Sequence, residues 1–152
     1  LRVEQGMSKP FTPMSTPAAW RSFMYDNVLV PWETGTLNIC KDTYRKTVIE
    51  SVTGIQVLKI EKLNDLQPVE EQFKRSKDDF LAFYCDGKGY EALFKRLRDT
   101  TAHAHYYQQP AGSIVLRHSF KGRADKKARL RLIGQLKFTT LKKLISFLHD
   151  RI

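Results

Sequence analysis

The feature that most constrains this chain is an apolar stripe in which Tyr90, Leu93, Phe94, Leu97, Thr101 and Ala104 recur at spacings of three and four, the period of one face of an α-helix. A face of that kind has to be covered by other elements, so the expected helix belongs to the core. It carries a polar cluster, Arg98, Asp99, His103 and His105, followed by Tyr106 and Tyr107. Each residue turns an ideal helix by about 100°, so Arg98 lies on a shoulder of the buried stripe and His103 points roughly 140° away. On a straight helix the two cannot meet. Either the helix ends or bends near Ala102, or each residue works with a partner from a second copy. Arg98 with His105, and Arg96 with His103, do share a face, about two turns or roughly 10 Å apart.

The rest of the chain reads mainly as helices packed around this one. Phe23, Met24, Tyr25, Val28, Leu29, Val30 and Trp32 form an apolar cluster stopped by Pro31, too short to type as helix or strand. Thr36 is a candidate cap for a helix through Leu37, Cys40, Tyr44, Thr47 and Val48, ended by Gly54. Ile55 to Leu66 mixes alternation with helical spacing; a second helix is favoured, although its β-branched start suits a strand equally. Pro68 opens a helix with the stripe Phe73, Phe80, Leu81 and Tyr84, and the turn Asp86-Gly87-Lys88-Gly89 leads into the central helix. After Pro110 the period changes. Residues 114–120 and 128–133 flank a glycine-containing charged link, and the second run alternates with period two, which predicts a β-hairpin; Thr139 or Thr140 then caps a last helix through Leu141, Leu144, Ile145 and Leu148. The expected fold is mainly α, an antiparallel helical bundle with a late β-hairpin before the C-terminal helix.

Residues 1–20 hold three of the six prolines and no sustained period, and read as a flexible arm; residues 1–6 precede Met7 and read as upstream sequence. Residues 21–152 form one domain's worth of chain. No apolar run approaches the ~18 residues of a membrane span. Cys40 and Cys85 are too few and too far apart for a disulfide framework or a CxxC site, which favours reduced thiols and a cytoplasmic location.

The net charge of +10 is local. Residues 1–100 carry 15 Lys and Arg against 14 Asp and Glu, whereas residues 101–152 carry 11 against 2. That asymmetry is the footprint expected of a polyanion partner, nucleic acid above all. Arg117, Lys121, Arg123, Lys126, Lys127, Arg129 and Arg131 cluster in the hairpin, with one acid among them, and are the candidate RNA-binding residues. Hairpin lysines also serve to keep edge strands from aggregating.

The run Leu97-Arg98-Asp99-Thr100-Thr101-Ala102-His103 resembles the signature of the HEPN family of small helical proteins: an arginine, a polar residue and a histidine after four to six intervening positions. Leu97, Arg98, Asp99, Ala102 and His103 carry the likeness, and the order of elements agrees from about residue 70 onward. Asp99 stands where the family more often has asparagine, and Ala104 where glycine often follows the histidine. The resemblance implies metal-independent endonucleolytic cleavage of RNA, with a composite site at a homodimer interface and a place as a toxin or phage-defence effector. Some relatives are silenced by a nucleotidyltransferase antitoxin that modifies a tyrosine close after the histidine, which makes Tyr106 and Tyr107 modification candidates.

The residues themselves suit the same chemistry. Histidine exchanges protons near neutrality, and arginine's planar fork matches phosphate oxygens. We therefore expect His103 as acid/base, Arg98 as the phosphate ligand, Asp99 as the positioning residue and His105 as a second catalytic candidate. No cofactor and no metal site is expected, since the four histidines lack a zinc-like grouping. The rival expectation is a non-catalytic nucleic-acid-binding module that uses the hairpin.

Overall fold

Strands, rather than an unbroken series of helices, occupy much of the chain beyond residue 55. The computed structural model describes residues 18–35, 39–73, 78–109 and 112–149. Within them β1 (Gln56–Ile60), β2 (Phe80–Tyr84), β3 (Tyr106–Gln108), β4 (Ile114–Phe120) and β5 (Arg129–Leu136) form one sheet in the order β1-β2-β5-β4-β3. β1 and β2 run parallel, joined by a crossover that contains helix α4 (Leu66–Phe73), and the other neighbours are antiparallel. The mainly α bundle expected from sequence is therefore incorrect: the fold is α/β, built on a mixed five-stranded sheet.

Three segments account for the difference: the short β3, which follows directly on the end of α5 (Gly89–Ala102), and two longer strands. Residues 56–60 form a strand, the alternative the β-branched residues had left open, with Val57 buried on one face and Leu58 and Ile60 packed on the other. Phe80-Leu81-Ala82-Phe83-Tyr84 had been assigned to a helix continuing from Pro68. These residues instead form β2, which sits between β1 and β5 with both faces covered, Leu81 and Phe83 toward one core and Phe80 and Ala82 toward the other. A strand buried on both sides reads as an unbroken apolar run, which periodicity alone does not separate from a helix.

The larger core fills the face where α5 (Gly89–Ala102) and α6 (Phe138–Leu148) lie. Leu93, Phe94 and Leu97 from α5 and Leu141, Leu144 and Leu148 from α6 join Leu81, Phe83, Leu116 and Leu132 from the sheet. The smaller core lies on the opposite face, where Leu66 joins Phe80, Ala82, Leu130 and Ile133, and Phe73 stacks on Phe80 at 4.4 Å. The close approach of the neighbouring strands β2 and β5 depends on glycine: a side chain at Gly134, the cross-strand partner of Leu81, would meet Leu81 Cδ1 at 2.8 Å and the Phe80 carbonyl at 3.1 Å.

The N-terminal apolar cluster is helical, α1 (Ala18–Met24) passing through a π-helical turn (Tyr25–Leu29) into α2 (Val30–Thr34). Pro31 explains the wide turn, because its missing N–H and its ring would conflict with the Asn27 carbonyl one turn back. That carbonyl accepts a hydrogen bond from His149 Nε2 instead, at 2.7 Å. The expected arm falls outside the described residues up to position 17, whereas Trp20 is a core residue, 3% exposed.

The helix expected from Thr36 begins later, as α3 (Lys46–Thr53), with Cys40 and Tyr44 ahead of it; Thr36 and Leu37 lie outside the described residues. α6 starts at Phe138 with Lys137 as its first flanking residue and no side-chain cap, so neither Thr139 nor Thr140 has the expected role. No described helix is long and apolar enough to cross a membrane.

Candidate functional site

The polar cluster acquires its shape from the way α5 ends. The Ala104 N–H donates to the Thr101 carbonyl (3.1 Å) and the His105 N–H to the Thr100 carbonyl (2.9 Å), the paired bonds of a Schellman cap. The cap requires a left-handed residue, and Ala104 supplies it with φ of +55°. Glycine is the usual occupant of that position because a Cβ is strained there. Thus α5 stops at Ala102 although the glycine is absent, His103 caps it, and the chain turns directly into β3.

This turn brings three imidazoles together. The His103 ring stacks with His105 at 5.5 Å between centroids and with His118 at 5.6 Å, and the His105 and His118 rings are 5.1 Å apart. His105 Nδ1 lies 2.9 Å from His118 Nδ1. The strands supply the register: His105 precedes β3, its carbonyl accepts from the Arg117 N–H at 3.1 Å, and His118 follows on β4. His118 is 1% exposed, His105 partly covered and His103 exposed, so the cluster runs from core to surface.

The electrostatics follow that gradient. Burial, reinforced by His105, His103, Arg96 and Arg131, pushes the His118 pKa down to about 3. His118 is accordingly neutral at pH 7, with one ring nitrogen bearing hydrogen and the other able to accept. Arg96, on the face of α5 that it shares with His103, is itself buried: its Nε donates to the Tyr84 carbonyl at 3.1 Å and its guanidinium lies 3.4 Å from Asp86 Oδ2. Arg131 is the extra residue of a bulge, because His118 pairs with Leu132 while Ser119 pairs with Leu130. Bulges commonly re-aim a side chain next to a site. Here the Arg131 guanidinium meets Asp125 Oδ2 at 3.4 Å and lies 5.7 Å from the Tyr84 ring centroid.

Arg98 turns elsewhere. Its guanidinium lies over Trp32, 4.9 Å from the ring centroid, and contacts Asp99 Oδ1 at 2.8 Å. Arg98 and Asp99 therefore form a pair of their own beside α2, while His103 faces His105 and His118. Of the tyrosines, Tyr106 is 4% exposed within the larger core, where burial raises its pKa, and Tyr107 is the more accessible.

The seven basic hairpin residues divide into two groups. Arg117 makes a two-pronged contact with Glu70 (2.6 and 3.2 Å), while Arg129 and Arg131 both reach Asp125, and Arg129 also contacts Asn64. Lys121, Arg123, Lys126 and Lys127 are exposed, and no described acid pairs with them. Beside them a cleft of about 650 Å³ is lined by Asn64, Gln67, Arg117, Ser119, Lys126 and Lys127, among others.

His118 and Arg131 as neighbours of the histidine pair escaped sequence reasoning. His118 sits 13 positions beyond His105, and only strand register joins them. The one available signal was alternation, which sets His118 on the same buried face as Ile114 and Leu116. Among the described residues no group of three His, Cys, Asp or Glu side chains is arranged to hold a metal ion. Comparison with known proteins finds no matching family model, curated protein or solved structure.

Proposed function

We propose that this protein is a metal-independent endoribonuclease in which His103 and His105 exchange protons with the RNA and His118 orients His105. The single observation that carries the reading is the exposed His103 beside a His105 whose ring is tied at 2.9 Å to a buried, neutral histidine. A His105 Nδ1–H that donates to His118 fixes the ring's tautomer and orientation and makes Nε2 its basic nitrogen, the same orienting logic by which a third group fixes a catalytic imidazole elsewhere. One of the two outer histidines takes the proton of the 2′-hydroxyl and the other protonates the departing 5′-oxygen. The 2′-oxygen attacks phosphorus as the bond to the 5′-oxygen breaks, leaving a 2′,3′-cyclic phosphate and a 5′-hydroxyl.

Arg98 is the candidate ligand for the phosphate, with Asp99 holding its guanidinium. Since it lies over Trp32, away from the histidines, we assign the pairing of Arg98 with His103 to a homodimer in which the arginine of one copy faces the histidine of the other. This is the composite arrangement implied by the likeness of Leu97–His103 to the HEPN signature, a likeness carried by that run alone because the α/β fold is not a helical bundle. A toxin or phage-defence role, and control by an antitoxin acting at Tyr107, extend the same proposal. Two free, buried cysteines suit a reducing cytoplasm.

The second reading, a nucleic-acid-binding module without catalysis, is favoured by four exposed hairpin cations, Lys121, Arg123, Lys126 and Lys127, that have no acid partner among the described residues. Incubating RNA, all-DNA and 2′-O-methyl versions of one sequence with the protein in EDTA separates the two. The ribonuclease cuts only the RNA and leaves cyclic phosphate ends; the binding module retains all three and cuts none.

A further inference from the structure

Next to the histidines, four side chains form an alternating column of rings and cations. The Arg131 guanidinium lies 5.5 Å from the Phe120 ring centroid and 5.7 Å from that of Tyr84, and the Arg96 guanidinium lies 5.3 Å from the Tyr84 ring on which it rests. Arg96, Tyr84 and Arg131 are buried or half-buried, whereas Phe120, at the end of the column, is 49% exposed. A half-exposed phenylalanine among cations has no evident folding role, since neither apolar core includes it. It ends β4 two residues beyond His118, about 7 Å along a strand, and Lys121 and Arg123 follow in the loop.

We propose that Phe120 is a stacking platform for an unpaired nucleobase, and that the substrate is accordingly single-stranded RNA. This rests on the ribonuclease reading and names its substrate class. Each element of a single-strand site is present: a ring with an available π-face, cations beside it for the phosphates, and a rigid support beneath, because Arg131 is held by Asp125 and Tyr84. A base on an aromatic ring needs no particular hydrogen-bond pattern, so the contact selects unpaired strands over duplexes without selecting sequence. In a duplex the same base is stacked within its own helix and unavailable.

The test is binding of an uncleavable 2′-O-methyl single strand, and of the same strand in a duplex, to wild type, Phe120→Trp, Phe120→Leu and Phe120→Ala, with cleavage of the unmodified strand measured alongside. Wild type and Phe120→Trp should bind the single strand alike and more tightly than the duplex. Phe120→Ala should lose about tenfold. Phe120→Leu should lose nearly as much while keeping apolar cover over Arg131, and equal thermal unfolding of the variants shows that the loss is not one of folding. If Phe120→Leu and Phe120→Ala bind like wild type, or wild type prefers the duplex, the platform is refuted even where wild type cleaves. If the strand binds through Phe120 but is never cut, the platform stands and the ribonuclease reading falls.

Discussion

His105 and His118 face each other through their Nδ1 atoms at 2.9 Å, one ring partly covered and the other buried. A hydrogen bond between two imidazoles needs one nitrogen with hydrogen and one without. The buried ring supplies a fixed neutral partner because burial and its neighbours hold its pKa near 3.

That depression sets a pH dependence of stability. The unfolded chain binds a proton at this residue below about pH 6.5 while the folded chain does not until about pH 3. Between those values the unfolded state holds more protons, so stability falls as pH falls, by up to about 1.4 kcal/mol per unit. Urea unfolding at pH 7.0, 6.0 and 5.0 should show the decline, and His118→Gln should flatten it.

Ala104 offers a second check, since its φ of +55° is a conformation in which glycine is unstrained. Ala104→Gly should raise stability by roughly 1 kcal/mol, the relief of strain exceeding the added freedom of the unfolded chain. Ala104→Val should lower it. Chemical denaturation of the three proteins measures both effects.

How far the sequence disclosed this arrangement depended on the range of the interactions. The apolar stripe from Tyr90 to Leu97 is local and was legible, as was the possibility that the helix ends near Ala102, which the Schellman bonds realise. The glycine-containing link ahead of an alternating run at 128–133 identified the hairpin of β4 and β5. Phe80–Tyr84 was misassigned because a strand covered on both faces has no alternation to display. The site was half legible: His103 and His105 lie on one short run, but His118 joins them only through the pairing of β3 with β4, and the bulge at Arg131 only through that of β4 with β5. The helical wheel placed Arg96 with His103, and both flank His118. It could not show that Arg98 rests on Trp32, which comes from a helix 66 positions earlier.

The four exposed hairpin cations make a separate prediction. Binding of an uncleavable single strand should weaken with salt, and Lys126→Gln with Lys127→Gln should reduce the slope of log affinity against log salt by up to about 1.4. Arg117→Gln should change that slope less, because its guanidinium is already paired with Glu70. Filter binding between 50 and 300 mM salt, about the range where counterion release is steep, distinguishes them.

Composition of the site from two copies is tested by mixing. Arg98→Ala and His103→Ala should each be inactive alone, yet a mixed dimer regains one intact pairing. An equal mixture, half of it heterodimers with one working site of two, should recover about a quarter of wild-type cleavage. No recovery in a mixture that demonstrably exchanges subunits would mean that Arg98 and His103 do not act across an interface.

The most direct test of the central claim is cleavage of a mixed RNA pool in EDTA by wild type, His103→Ala and His105→Ala, each first checked for size by gel filtration. Wild type should cut the pool and leave cyclic phosphate ends. Each histidine variant should lose at least about a hundredfold, the scale of one acid or base, at unchanged size and RNA affinity. Wild type that binds the pool without cutting it, or variants that cut as wild type does, would contradict it.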